Sequence, residues 1–164
     1  MRRITLILNL FILLFGAFSL SAQAATANFP EVMIILDGSG SMWGQAGGES
    51  KIASAKNVLK ELVPSLPEEV RIGLTVYGHR QKGQCDDIEI IIPAGSNDRQ
   101  LLLDKVQGVS PKGMTPIADS IKIVANELKG KENETTIILV SDGEETCNPD
   151  PCAVVRELKK TGIK

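Results

Sequence analysis

Basic blocks are missing from this sequence, as is any alternation of aromatic with basic residues. Nucleic acid therefore drops out of the expected partners. Histidine occurs once, at His79, and a lone imidazole at a strand end is more often structural or solvent-facing than catalytic. Cysteine is scarce and odd in number, at Cys85, Cys147 and Cys152. An odd count leaves one thiol unpaired or puts its partner outside this chain, and the pairing among the three stays open. What is present is ample apolar material: 43% hydrophobic against 23% charged residues over 164 positions. That balance suits one folded domain of ordinary size rather than disorder.

The N-terminus is of a different composition. Arg2 and Arg3 precede a nearly unbroken apolar run from Ile4 to Leu20, followed by Ala22-Gln23-Ala24. Charge, then an apolar stretch, then a small-x-small site is the pattern of a cleaved export signal, expected here over 1–24 with a linker over 25–30. The alternative is an uncleaved anchor, for which the run is slightly short of the ~20 residues of a membrane span. Removing both arginines takes the formal charge from −2 to −4. Export to the periplasm or the extracellular space also permits disulfides.

Val32–Leu36 (VMIIL) is a continuous apolar run, as in a strand buried on both faces. A Gly/Ser-rich loop is expected over 38–50. Ile52, Ala55, Leu59, Leu62 and Leu66 then recur at helical spacing. Val70–Tyr77 alternates as a second strand, and Ile88–Ile92 reads as a third, closed by Pro93 and Gly95. The link between these two is too short for a crossover helix, so they should pair antiparallel. Asp98 can cap a short helix carrying Leu102 and Val106 inward. Pro116 suits a first helical position, with Ile117, Ile121, Val124 and Leu128 buried behind it. Thr136–Val140 reads as a fourth, buried strand. A last helix opens at Asp150-Pro151, with Val155 and Leu158 inward and Gly162 as its stop, and Ile163 begins a fifth strand. Alternating strands and helices predict an α/β fold: a Rossmann-like, doubly wound, mainly parallel sheet with one antiparallel edge strand and helices on both faces. Ligands of such sheets bind beyond the carboxyl ends of the strands.

Three polar motifs fall at candidate positions of that kind. Asp37-Gly38-Ser39-Gly40-Ser41 follows the first strand, Gly113-Met114-Thr115-Pro116 precedes a helix, and Ser141-Asp142-Gly143 follows the fourth strand. Together they offer carboxylates and hydroxyls, the oxygen donors that hard divalent cations require. None contains His or Cys, which argues against zinc. Taken singly, the Asp-Gly pairs are ordinary turns and Thr115 an ordinary helix cap. Their joint arrival at the ligand end of one sheet is what points to a site.

With this set of motifs the sequence closely resembles the von Willebrand factor A family, from about Glu31 to Lys164. The family's metal-ion-dependent adhesion site has the pattern D-x-S-x-S, then a Thr, then an Asp on a later loop. Those positions fall here on Asp37, Ser39, Ser41, Thr115 and Asp142. The resemblance implies Ser39, Ser41 and Thr115 as direct ligands of Mg²⁺ (or Mn²⁺ or Ca²⁺), with Asp37 and Asp142 acting through water or hydrogen bonds. It implies a protein-binding or adhesion module that docks a carboxylate of a partner protein. A membrane role would require the leader to stay uncleaved or a later segment to exist. The segments around Tyr77–Asp87 and Thr146–Cys152 resemble a bacterial exported subgroup, in which a further cysteine commonly lies near the domain's end.

Rival readings have less support. Gly38–Trp43 nearly matches a dinucleotide loop, but Trp43 stands where the last glycine belongs. No G-x-S-x-G elbow surrounds Ser39 or Ser41. A metal-dependent hydrolase is the principal alternative, and it usually needs more direct carboxylates. Trp43 is expected either to touch a partner or to cap the core, and Glu144 and Glu145, which extend the acidity beside Asp142, either to tune the site or, as is commoner, to form a solvated face. Against the family pattern, residues 31–164 lack the last strands and helix, so an exposed apolar edge beside the fourth strand is expected.

Overall fold

A computed structural model of the chain describes residues 30–131, 135–148 and 150–160. The expected leader (1–24), most of the linker (25–30), Gly162 and the start of a fifth strand lie outside the described residues. The elements are β1 (Glu31–Asp37), a 3₁₀ turn (Gly40–Trp43), β2 (Gln45–Ala46), β3 (Glu49–Ser50), α1 (Lys51–Ser65), β4 (Arg71–Tyr77), β5 (Ile88–Ser96), α2 (Arg99–Gly108), α3 (Ile117–Leu128), β6 (Thr135–Val140) and α4 (Pro151–Lys160).

Four strands form one sheet in the order β5-β4-β1-β6. β1 is parallel to β4 and to β6, with Ile34 opposite both Leu74 and Ile138. β4 and β5 are antiparallel, as their short link requires. The alternation of β1 divides its side chains between two cores. Ile34 and Leu36 pack with Leu59, Val63, Leu74, Leu102 and Val106 under α1 and α2. Met33 and Ile35 pack with Tyr77, Ile121 and Val124 under α3, where Val154 and Leu158 of α4 join them.

The two helices over the first core close each other's ends. Arg99 donates to the carbonyls of Val63, in the last turn of α1, and of Leu66 and Pro67 just beyond it. Lys56 donates to those of Gln107 and Val109 at the end of α2. Carbonyls left over at a helix end thereby find donors. The Asp98 cap forms as expected, its Oδ1 accepting from Leu101 N–H at 2.8 Å.

Several expectations are corrected. β5 runs through Pro93 to Ser96, because an outer strand loses nothing by lacking one N–H and absorbs the kink with register shifts against Ile72–Thr75. The loop after β1 contains the β2–β3 hairpin, turning on Gly47 and Gly48 with φ of 63° and 94°. That pair of left-handed residues is what a two-residue hairpin turn requires. Val63 takes the buried place on α1 expected of Leu62 and Leu66, which are only partly buried. Pro116 is the residue before α3 rather than its first. β6 is half-buried, not buried, because among the described residues it is the outer strand on its side. On α4 the inward residue is Val154 rather than Val155, and the helix has no fully buried residue.

Candidate functional site

All three motifs meet at the carboxyl ends of β1 and β6. Asp37 ends β1 and is fully buried, with both carboxylate oxygens in use: Oδ1 accepts from Ser39 N–H at 2.7 Å and Oδ2 from the Ser141 hydroxyl at 2.7 Å. Ser141 in turn accepts from the Tyr77 hydroxyl at 3.1 Å. Burial, and then the Asp37 charge, push the Tyr77 phenol above its ordinary range, so it remains a neutral donor. Asp37 therefore acts on its surroundings through hydroxyls and an amide.

The hydroxyl oxygens of Ser39 and Ser41 lie 3.0 Å apart, and Ser41 donates to Asp142 Oδ1 at 3.0 Å. Ser39 is buried and Ser41 exposed, so the pair leads from the protein's interior to solvent. Thr115 is buried and is tied to the Asp142 loop twice. Its N–H donates to Thr146 Oγ1 at 2.8 Å, and its carbonyl accepts from Thr146 N–H at 3.2 Å. A Cβ placed on Gly143 would stand 3.6 Å from Ser41 Oγ, 3.7 Å from Thr115 Cγ2 and 3.9 Å from Asp37 Oδ2. Residues from three loops thus border one small space, at a cleft of about 260 Å³ whose walls include Ser39, Ser41, Thr115 and Glu144.

Glycine makes this convergence possible. Gly78 has φ +64°, and a Cβ there would meet Met114 O at 2.4 Å and Ser39 N at 3.1 Å. A Cβ on Gly113 would meet Gln81 O at 2.4 Å. Backbone therefore packs on backbone, joined by Gly40 N–H to Gly113 O at 3.0 Å and Gly113 N–H to Gly78 O at 2.7 Å. A side chain at either glycine would push the Ser39 and Thr115 loops apart.

The donor chemistry fits a hard cation. Neighbouring ligands of an octahedral ion with bonds of about 2.0–2.1 Å stand about 3 Å apart, which is the separation of the two serine hydroxyls. Among the described residues no three His, Cys, Asp or Glu side chains gather as a metal-binding group. A cation here would therefore depend on the hydroxyls.

Residues outside the three motifs also shape the site. Lys51 Nζ forms an ion pair with Asp142 Oδ2. Glu145 is not a solvated face: its carboxylate accepts from Ala118 N–H at the start of α3 (2.7 Å) and from Cys147 and Asn148 N–H. Cys85 and Cys147 form a disulfide that joins the β4–β5 loop to the Asp142 loop, and Cys152 is free and exposed. Trp43 is 56% exposed, its indole N–H fixed on Pro111 O at 2.9 Å. That exposure excludes a core cap. His79 Nε2 lies 3.0 Å from Glu89 Oε2, though off the line of a hydrogen bond. Of these, the cysteines, Trp43, His79 and Glu145 stand out in the sequence; nothing local marks Lys51.

A family model described as the von Willebrand factor type A domain matches residues 32–145. The uncharacterized protein YwmC of Bacillus subtilis (strain 168) is 33% identical, over 92% of this chain and 73% of its own. Its counterpart YwmD is 30% identical, over 90% and 68%. Among solved structures, the conserved hypothetical protein BatB from Bacteroides thetaiotaomicron superposes with a TM-score of 0.66 at 24% identity, over 82% of this chain and 63% of that one. The vWF domain of the type V pili tip protein Mfa5 from Porphyromonas gingivalis gives 0.54 at 26% identity, over 72% and 39%. This chain thus spans less than two thirds of either solved chain.

Proposed function

The chain belongs to the von Willebrand factor type A family, and from that membership we propose that it is an exported protein-interaction module whose three loops hold one divalent cation, Mg²⁺ by preference. Ser39, Ser41 and Thr115 are the direct hydroxyl ligands, while Asp37 and Asp142 orient those hydroxyls. The observation that carries the reading is the disposition of the carboxylates. Asp37 is occupied by Ser39 N–H and Ser141, and Asp142 by Ser41 and Lys51, so neither is spent on neutralising an ion directly. A cation bound on neutral hydroxyls would keep most of its charge and offer an open coordination position to a carboxylate of a partner protein.

The pilus-tip domain among the structural neighbours supports a role in adhesion or protein docking. No residue is assigned a catalytic role. The chain's single histidine faces Glu89 and not a site hydroxyl, so Ser39 and Ser41 gain no base from it. Among the described residues no helix is long and apolar enough to cross a membrane.

Isothermal titration of Mg²⁺ into the chain tests the proposal. One site is expected in the wild type, lost in Asp37→Ala and strongly weakened in Ser41→Ala. The Ser41 variant alters an exposed side chain and so keeps the fold. No heat of binding in the folded wild type would overturn the reading.

A further inference from the structure

Resting on that reading, we infer that Lys51 sets the charge of the site, weakening its hold on a dication and keeping the loaded site net positive, so that it selects an anionic partner group. Lys51 is the first residue of α1. Its Nζ pairs with Asp142 Oδ2 while Ser41 takes Asp142 Oδ1. The side chain is 35% exposed and that of Asp142 only 11%, so the ion pair is partly sheltered from solvent.

A helical role does not explain this lysine. The first turn of a helix carries a partial positive charge, where a cation is disfavoured. The position is nevertheless well built. Lys51 N–H donates to Gly44 O at 2.9 Å, and the side chain passes over Gly44, its Cε 3.4 Å from where a Cβ on that residue would stand. The β2–β3 hairpin, which spans 45–50, returns the chain to this point. The lysine is thus held across the 3₁₀ turn and directed at the loop of β6.

Charge counting gives the consequence. Asp37, Asp142 and Lys51 together carry −1, whereas the two carboxylates alone carry −2. With a dication present, the site carries +1 with Lys51 and zero without it. Glu144, on the cleft wall, is exposed and screened by solvent, so it enters only weakly. Lys51 thus trades affinity for the cation against attraction for an incoming carboxylate, and both effects should fade with salt.

The test is Mg²⁺ titration into the whole chain as wild type, Lys51→Met and Lys51→Arg, at low and high salt, with thermal melts to confirm folding. Lys51→Met should bind Mg²⁺ about tenfold tighter than wild type at low salt, the effect of one nearby unit charge in a largely aqueous setting. Lys51→Arg should stay within about twofold of wild type, and the gap should narrow at high salt. At saturating Mg²⁺, acetate followed by NMR should bind severalfold more weakly to Lys51→Met than to wild type. Equal or weaker Mg²⁺ binding by Lys51→Met would overturn the inference and make Lys51 a mere support for Asp142. Unchanged acetate binding would overturn the partner-selecting half. Mg²⁺ binding by none of the three proteins would overturn the cation reading itself, and this inference with it.

Discussion

The two sides of β1 are built differently. Toward β4, the strand faces Leu74 and Val76, fully buried beneath helices that cap one another with Arg99 and Lys56. Toward β6, no residue of the neighbouring strand or of α4 is fully buried among those described. The site spans the seam: Asp37, Ser39 and Ser41 belong to the packed side, and Asp142 to the other. Packing holds the first group in place. What holds Asp142 is polar and covalent: the Ser141 bridge to Asp37, the Thr146–Thr115 pair, the Glu145 cap on α3 and the Cys85–Cys147 disulfide. One half of such a site is set by the core and the other by straps, and the halves should fail in different ways.

The largest expected contrast is in stability. Leu74→Ala on the packed side should lose about 3 kcal/mol of unfolding free energy. Leu139→Ala in β6, already 40% exposed, should lose under about 1 kcal/mol. Urea unfolding measures both, and equal losses would erase the distinction.

Replacing Cys85 and Cys147 by serine should have a comparable cost, about 3–4 kcal/mol for releasing a loop whose ends are 62 residues apart. It should also weaken Mg²⁺ binding several-fold, because the Asp142 loop loses its covalent strap. Calorimetry with and without reductant tests this, and intact affinity in the double variant would show that the hydrogen bonds suffice.

A smaller effect is expected at Asp87, on the packed side's own loop. Its buried carboxylate accepts from Arg80 and Gln81 N–H and from the Arg80 guanidinium. Burial alone would raise its pKa, but those donors outweigh it and hold the carboxyl below the usual carboxylate range. A carboxyl depressed in the folded state stabilises the fold above its unfolded pKa, and that contribution is lost as pH falls through the folded value. Asp87→Asn should therefore cost about 1 kcal/mol at neutral pH, with the difference from wild type shrinking in acid. Urea midpoints across pH check the direction.

The fold and the motif residues were legible because their signals are local. The VMIIL run, the helical spacing behind Ser50 and the three motifs at strand ends each lie within a few residues. The antiparallel β4–β5 pair followed from a short link. Lys51, the bond of Glu145 to the start of α3 and the Cys85–Cys147 pairing were not legible, since they depend on loops 91, 27 and 62 residues apart in sequence meeting in space. The apolar run of β6 by itself suits a buried strand, and the exposed edge expected beside it came from the family pattern rather than from the run. An apolar run looks the same in an outer strand as in a central one, and only sheet order separates them.

Where the cation sits is a question of position, so electron density answers it best. Crystals grown with Mn²⁺ and measured for anomalous scattering should show one peak bonded to Ser39 Oγ and Ser41 Oγ at about 2.1–2.3 Å, with Thr115 beside it. A strong peak away from these hydroxyls, or none in a crystal of protein that binds Mn²⁺ in solution, would contradict the account.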